Sequence, residues 1–159
     1  MVTLADRARA AAAQITDPEI PVLTIADLGV LRDVVEDGEG VEVRITPTYS
    51  GCPAMNMIAF EVELALAKAG IPGRVKQVLA PAWTTDWMTE EGRRKLHEYG
   101  IAPPSPGSGR RALFGRDQVE CPRCASFDTE VIAEFGSTSC KALWRCFSCR
   151  EPFDYFKCH

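Results

Sequence analysis

Two CxxC pairs, Cys121/Cys124 in CPRC and Cys146/Cys149 in CFSC, stand twenty-one residues apart and constrain this chain more than any other feature. A two-residue gap lets one tight turn present both sulfurs to a single ion. Two such turns complete a tetrahedral thiolate site with no open position, which is the spacing of a zinc ribbon. The chain has seven cysteines, six of them at or after Cys121. An odd, clustered set suits a metal site in a reducing compartment better than a disulfide framework. Residues 118–159 are too few to bury a self-sufficient core, so the metal must supply folding free energy directly. Structural zinc is the expected ion, with iron or a cluster as the alternative at the same four sulfurs.

Ahead of the ribbon runs APPSPGSGRRALFGRD, residues 102–117, with three prolines, three glycines and three arginines. That is the composition of a linker, and it separates a first domain, 1–101, from the ribbon mini-domain, 118–159. The first domain opens with an alanine-rich helix expected to end at Asp17 and Pro18. From Ile25 the pattern becomes extended, turns at Gly38 to Gly40, and alternates through Val41, Val43 and Ile45 as a hairpin partner. Met55, Ile58, Val62, Leu66 and Ala69 then recur at helical spacing and stop at Gly70 and Pro72. A strand over 74–79 and a helix over 89–99 complete an α+β layer, a small mixed sheet carrying helices.

Hydrophobic residues make up 46% of the chain, enough for a packed core. No apolar run is long enough to span a bilayer, and Asp6, Arg7 and Arg9 charge the start where an export signal would be apolar, so a cytoplasmic protein without membrane contact is expected. The net charge of −4 is uneven: −5 over residues 1–100 and +1 over 101–159. Neither part is basic enough for a nucleic-acid partner.

Cys52 lies in TYSGCPAMNM, after Gly51 and before Pro53, close to a helix start. A thiol there is expected to have a lowered pKa and a raised affinity for metal; the plainer reading is a small residue buried at a strand-to-helix turn. Asp17 and Glu19 in TDPEIP offer carboxylates near the sheet edge, against a simple helix-terminating role for Asp17. With only His97 and His159 as imidazoles, a nucleophilic enzyme is disfavoured, and His97 reads as a solvated helical residue. Trp83 and Trp87 read as core. Cys140, six residues before Cys146, lies about 20 Å away along an extended strand and cannot reach the same ion. If Cys146 faces Pro152 across a hairpin, the same register sets Cys140 opposite Cys158, beside His159. Those three then form a second thiol or metal site, or simply pack at the base of the ribbon.

The runs DPEIPVLTIADLGVLRDV, TPTYSGCP and APAWTTDWMTEEGRRKL resemble the iron–sulfur assembly domain shared by SufT and the eukaryotic cytosolic cluster-targeting proteins. With CPRC, FGSTSCKALWRCFSC and EPFDYFKCH added, the chain resembles the PaaD (PaaJ) family of bacterial phenylacetate degradation over nearly its whole length. By that resemblance Cys52 corresponds to the family's reactive cysteine, and Asp17, Pro18 and Glu19 to its acidic motif. The resemblance implies an accessory, non-catalytic protein of the multicomponent phenylacetyl-CoA epoxidase. Its implied partners are the oxygenase and reductase components, to which it brings iron or a [2Fe-2S] cluster through a transient metal site.

Two rivals stand beside a maturation factor. One is a structural component of the oxygenase whose cysteines transfer nothing. The other, a nucleic-acid adaptor built on the ribbon, is weakened by the +1 charge of the C-terminal part. A homodimer is compatible with all of these.

Overall fold

The computed structural model describes residues 1–104 and 119–156. The chain divides into two compact units, Met1–Trp83 and Thr84–His159.

In the first unit, helix α1 (Leu4–Ala12) starts from a capping box between Thr3 and Asp6 and buries Ala8 and Ala12. It ends at Ala12, short of the expected stop at Asp17. The chain has left the helix before Asp17 because the Ile15 carbonyl accepts the Ile25 N–H at 2.8 Å, Thr16 bridges Thr24, and the Asp17 N–H donates to the Leu23 carbonyl at 2.9 Å. The extended pattern expected from Ile25 also begins later. Thr24 and Asp27 cap each other's backbone N–H groups at 3.0 Å, fold 24–29 into a turn, and leave strand β1 to Leu31–Glu36.

Strand β2 (Val41–Ile45) pairs antiparallel with β1 and parallel with β3 (Gly73–Gln77), so the sheet is mixed, in the order β1-β2-β3. Between β2 and β3 runs helix α2 (Ala54–Lys68), the crossover that a parallel pair requires. Val41, Val43 and Ile45 are almost wholly buried on one face of β2, with Ile58, Val62 and Leu66 of α2 also in the core. Each such side chain contributes about 1.5–3 kcal/mol by leaving water. Between them in sequence, Glu42 binds Arg44 and Arg74 at 2.9 Å, and Arg74 also reaches Asp37. The buried indole of Trp83 donates to the Leu28 carbonyl at 2.8 Å and ties the end of the unit to the 24–30 turn.

The second unit begins with a 3₁₀ turn at Thr85–Trp87, followed by helix α3 (Glu90–Glu98) and strand β4 (Ile101–Ala102). Strands β5 (Thr129–Ala133), β6 (Lys141–Cys146) and β7 (Pro152–Phe156) complete a four-stranded sheet in the order β4-β7-β6-β5. Helix α3 and Ile101, assigned from sequence to the first domain, thus belong to the compact unit of the ribbon. Ile101 pairs in parallel with Asp154, and Ala102 with Tyr155. A two-residue strand carries no periodicity that a sequence pattern can register. Beyond Ala102 the expected linker, 102–117, lies mostly outside the described residues, from 105 onward. The ribbon's core comprises Ala102, Val119, Cys121, Ala142, Cys146, Phe153 and Tyr155, with Trp144 edge-on to Tyr155 at 5.9 Å.

Candidate metal centre and thiol site

The two knuckles have matching backbones. Cys121 donates its N–H to the Ser126 carbonyl at 2.8 Å and Cys146 donates to the Glu151 carbonyl at 3.0 Å, five residues on in each case. The residue after each second cysteine, Ala125 at φ 63° and Arg150 at φ 64°, adopts the left-handed conformation that folds the turn under the sulfurs. The four sulfurs lie within 4.8 Å of one another, with Cys121 to Cys149 at 3.8 Å and Cys124 to Cys146 at 3.6 Å. A tetrahedron of zinc–sulfur bonds about 2.3 Å long has edges of about 3.8 Å, so the donor set fits zinc. Backbone N–H groups at the second knuckle favour the charged sulfur: the Cys149 N–H, foremost among the causes, brings the Cys146 thiol down to about 6. All four ligands expected from the spacing therefore converge, and the site is closed.

Cys52 is placed differently. Its N–H donates to the Tyr49 carbonyl at 3.3 Å, closing a turn whose third residue, Gly51, has φ 75°. An L side chain at Gly51 would be strained by that φ. Pro53 caps α2, so Cys52 sits one residue before the cap and is only partly exposed. The expected lowering of its pKa is reversed. Burial pushes the thiol above its ordinary value, and the charges of Glu19 and Asp17 push the same way. The Ala54 N–H and the Tyr49 hydroxyl, both bonded to the sulfur, oppose this and are outweighed. Position in sequence shows the helix start but not the acidic loop brought against it, and Tyr49 carries no signal except its nearness to Cys52.

Asp17 is buried, and its Oδ1 accepts from the N–H groups of Glu19 at 2.7 Å and Ile20 at 3.0 Å, so it holds the shape of that loop. Among the described residues the four ribbon cysteines alone gather three or more metal-binding atoms within 4.8 Å. Cys52, Asp17 and Glu19 are neighbours electrostatically, not a preassembled cage.

The second thiol site depends on Cys146 facing Pro152, and that premise is corrected. Across the hairpin the register runs from Arg145 opposite Pro152 to Lys141 opposite Phe156, one residue out of step. The knuckle closes the hairpin early, through the Cys146 N–H to Glu151, and a one-residue slip exchanges the faces of a strand. Cys140 is buried, its sulfur 3.0 Å from the Thr138 hydroxyl. Cys158 and His159 lie outside the described residues. His97 is exposed on α3, Trp83 is buried and Trp87 half-buried. No helix among the described residues is long and apolar enough to cross a membrane.

Comparison with known proteins divides the chain similarly. Residues 5–80 match the family described as iron–sulfur cluster assembly protein, and residues 105–157 match the PaaD zinc beta ribbon domain. The chain is 57% identical over 146 residues to an Escherichia coli (strain K12) protein named as one of the subunits of a "Putative 1,2-phenylacetyl-CoA epoxidase", covering 91% of this chain and 87% of that one. It is 36% identical over 88 residues to the "Fe-S protein maturation auxiliary factor YitW" of Bacillus subtilis (strain 168), covering 52% of this chain and 83% of that protein. A crystal structure of a domain of unknown function, DUF59, from Bacillus anthracis superposes with a TM-score of 0.54 at 25% identity, covering 58% of this chain and 91% of that one.

Proposed function

Because the chain belongs to the PaaD family, joining an iron–sulfur assembly domain to a zinc ribbon, we propose that it is an accessory subunit of a phenylacetyl-CoA epoxidase that matures its iron-containing partners. Its clients are the oxygenase and reductase components. The carrying observation is the contrast between its thiols: four are closed around one centre, while Cys52 stands alone at the mouth of α2 beside Glu19 and Asp17. A lone, partly exposed thiol with carboxylates close by has no complete ligand set of its own, so it suits transient contact with iron, a cluster or a client thiol rather than permanent holding. Held mostly protonated by its surroundings, it is spared adventitious oxidation until a metal or a cationic partner draws the proton off.

Zinc in the ribbon would be held by Cys121, Cys124, Cys146 and Cys149 and would supply structure, since no coordination position is left for chemistry. The test is deletion of the gene in its host, followed by purification of reductase and oxygenase and measurement of iron and cluster occupancy in each. Lowered occupancy restored by the wild-type chain but not by Cys52→Ser supports maturation. Full occupancy with a dissociated oxygenase complex would support a purely structural role instead.

A further inference from the structure

Helix α2, which begins two residues after Cys52, carries apolar residues on two opposite faces. Ala54, Met55, Ile58, Val62 and Leu66 are buried, while on the opposite side Met57, Phe60 and Leu64 are 52%, 60% and 42% exposed. Those three recur at i, i+3 and i+7 and so form one outward stripe. A surface helix ordinarily carries a single apolar stripe; a second one marks a helix covered on both sides in its working state. The exposed positions of α1 and α3 carry no such stripe, being occupied by residues such as Asp6, Arg7, Glu91 and Arg94.

We propose that the Met57–Phe60–Leu64 stripe is the surface on which a client protein docks, the client presenting an amphipathic helix whose apolar stripe is flanked by lysine or arginine. Size argues for a visiting partner over a second copy. Three half-exposed side chains offer on the order of 300 Å², well short of the roughly 800 Å² per partner of a stable interface. Charge decides the flanks. Glu61 and Glu63 border the stripe, Lys68 at the far end is the helix's one cation, and Asp17 and Glu19 stand by the thiol where the helix begins. Geometry links the surface to the chemistry: at 1.5 Å per residue, Met57 and Leu64 lie roughly 8 Å and 18 Å along the helix from Cys52. A client seated there holds its own metal-binding loop within a short reach of the thiol. This deepens the reading of Cys52 as the transfer residue and rests on it.

The experiment measures binding of the full chain to the purified reductase and oxygenase components in turn. A variant carrying Met57→Ser, Phe60→Ser and Leu64→Ser is expected to bind its client at least tenfold more weakly while keeping its zinc and the wild-type alkylation rate of Cys52. Glu61→Lys with Glu63→Lys is expected to weaken binding at low salt, with the difference fading at high salt. Should the triple variant fail to fold, Phe60→Ser alone is expected to give a several-fold loss. Unchanged affinity of the folded variants for both components overturns the proposal. So does a dimer in sedimentation that the stripe variant dissolves, which would assign the face to a second copy. Cys52→Ser separates the two readings: it should fail to mature the client, and if it matures the client normally while the stripe variants still bind weakly, the transfer reading falls and docking stands.

Discussion

The two units use cysteine in opposite ways. In the ribbon, Cys121 and Cys146 are part of the small apolar core as well as the ligand set, so the metal and the fold stand or fall together. In the first unit Cys52 lies at the edge of a core built from Leu23, Ile25, Val43, Ile45 and Ile58, all essentially inaccessible to water. That core needs no thiol. A cysteine can thus be spared for chemistry where aliphatic burial already supplies stability, whereas four cysteines are committed to structure where aliphatic burial is scarce.

The contrast is broken most directly through the metal. Strong chelation, or Cys146→Ser, is expected to abolish zinc binding worth on the order of 10 kcal/mol or more to the ribbon. Hydrogen exchange should then show β5 to β7 unprotected and β1 to β3 unchanged; zinc retained after loss of a knuckle cysteine would refute the assignment. The converse variant is Ile45→Ala, which opens a cavity in the first unit at a cost of about 2–5 kcal/mol. Its denaturation midpoint should fall while the zinc content stays at wild type, and a parallel loss of zinc would mean the two units are not separately stabilised.

A finer cut lies in the knuckle itself. Arg150→Gly relieves a left-handed residue by about 1–2 kcal/mol and gives back about half of that as extra freedom in the unfolded chain. The expected result is a modest gain in resistance to chelation, and a marked loss would mean that the Arg150 side chain, not its backbone, matters.

The smallest effect concerns the titration of Cys52. Its alkylation should accelerate only above the pH at which an ordinary thiol ionises, because burial and the nearby carboxylates favour the neutral form. Removing a negative charge with Glu19→Gln should shift the inflection to lower pH, and removing the hydroxyl donor with Tyr49→Phe should shift it to higher pH. An inflection at or below that of a free thiol would show that the helix start wins after all.

The ribbon ligands are legible in the sequence, because two such pairs twenty-one residues apart can bring four sulfurs to one ion, which a single pair cannot. The mixed sheet and helix α2 are legible too, since alternation through Val41, Val43 and Ile45 and the three-and-four spacing from Met55 each commit one face to a core. The features the sequence missed depend on contacts between segments distant in the chain. Burial of Cys52, with the smaller push of the Glu19 and Asp17 charges brought against it, reverses the effect expected of a helix start, an outcome of tertiary packing that no local pattern holds. The hairpin register differs by one residue from a symmetric count because knuckle geometry decides where the strands begin to pair. Helix α3 reads as part of the first domain because it follows the other elements in order. Only folding of the chain joins Ile101 and Ala102 to β7, since strand pairing is settled by which backbone groups find partners in space.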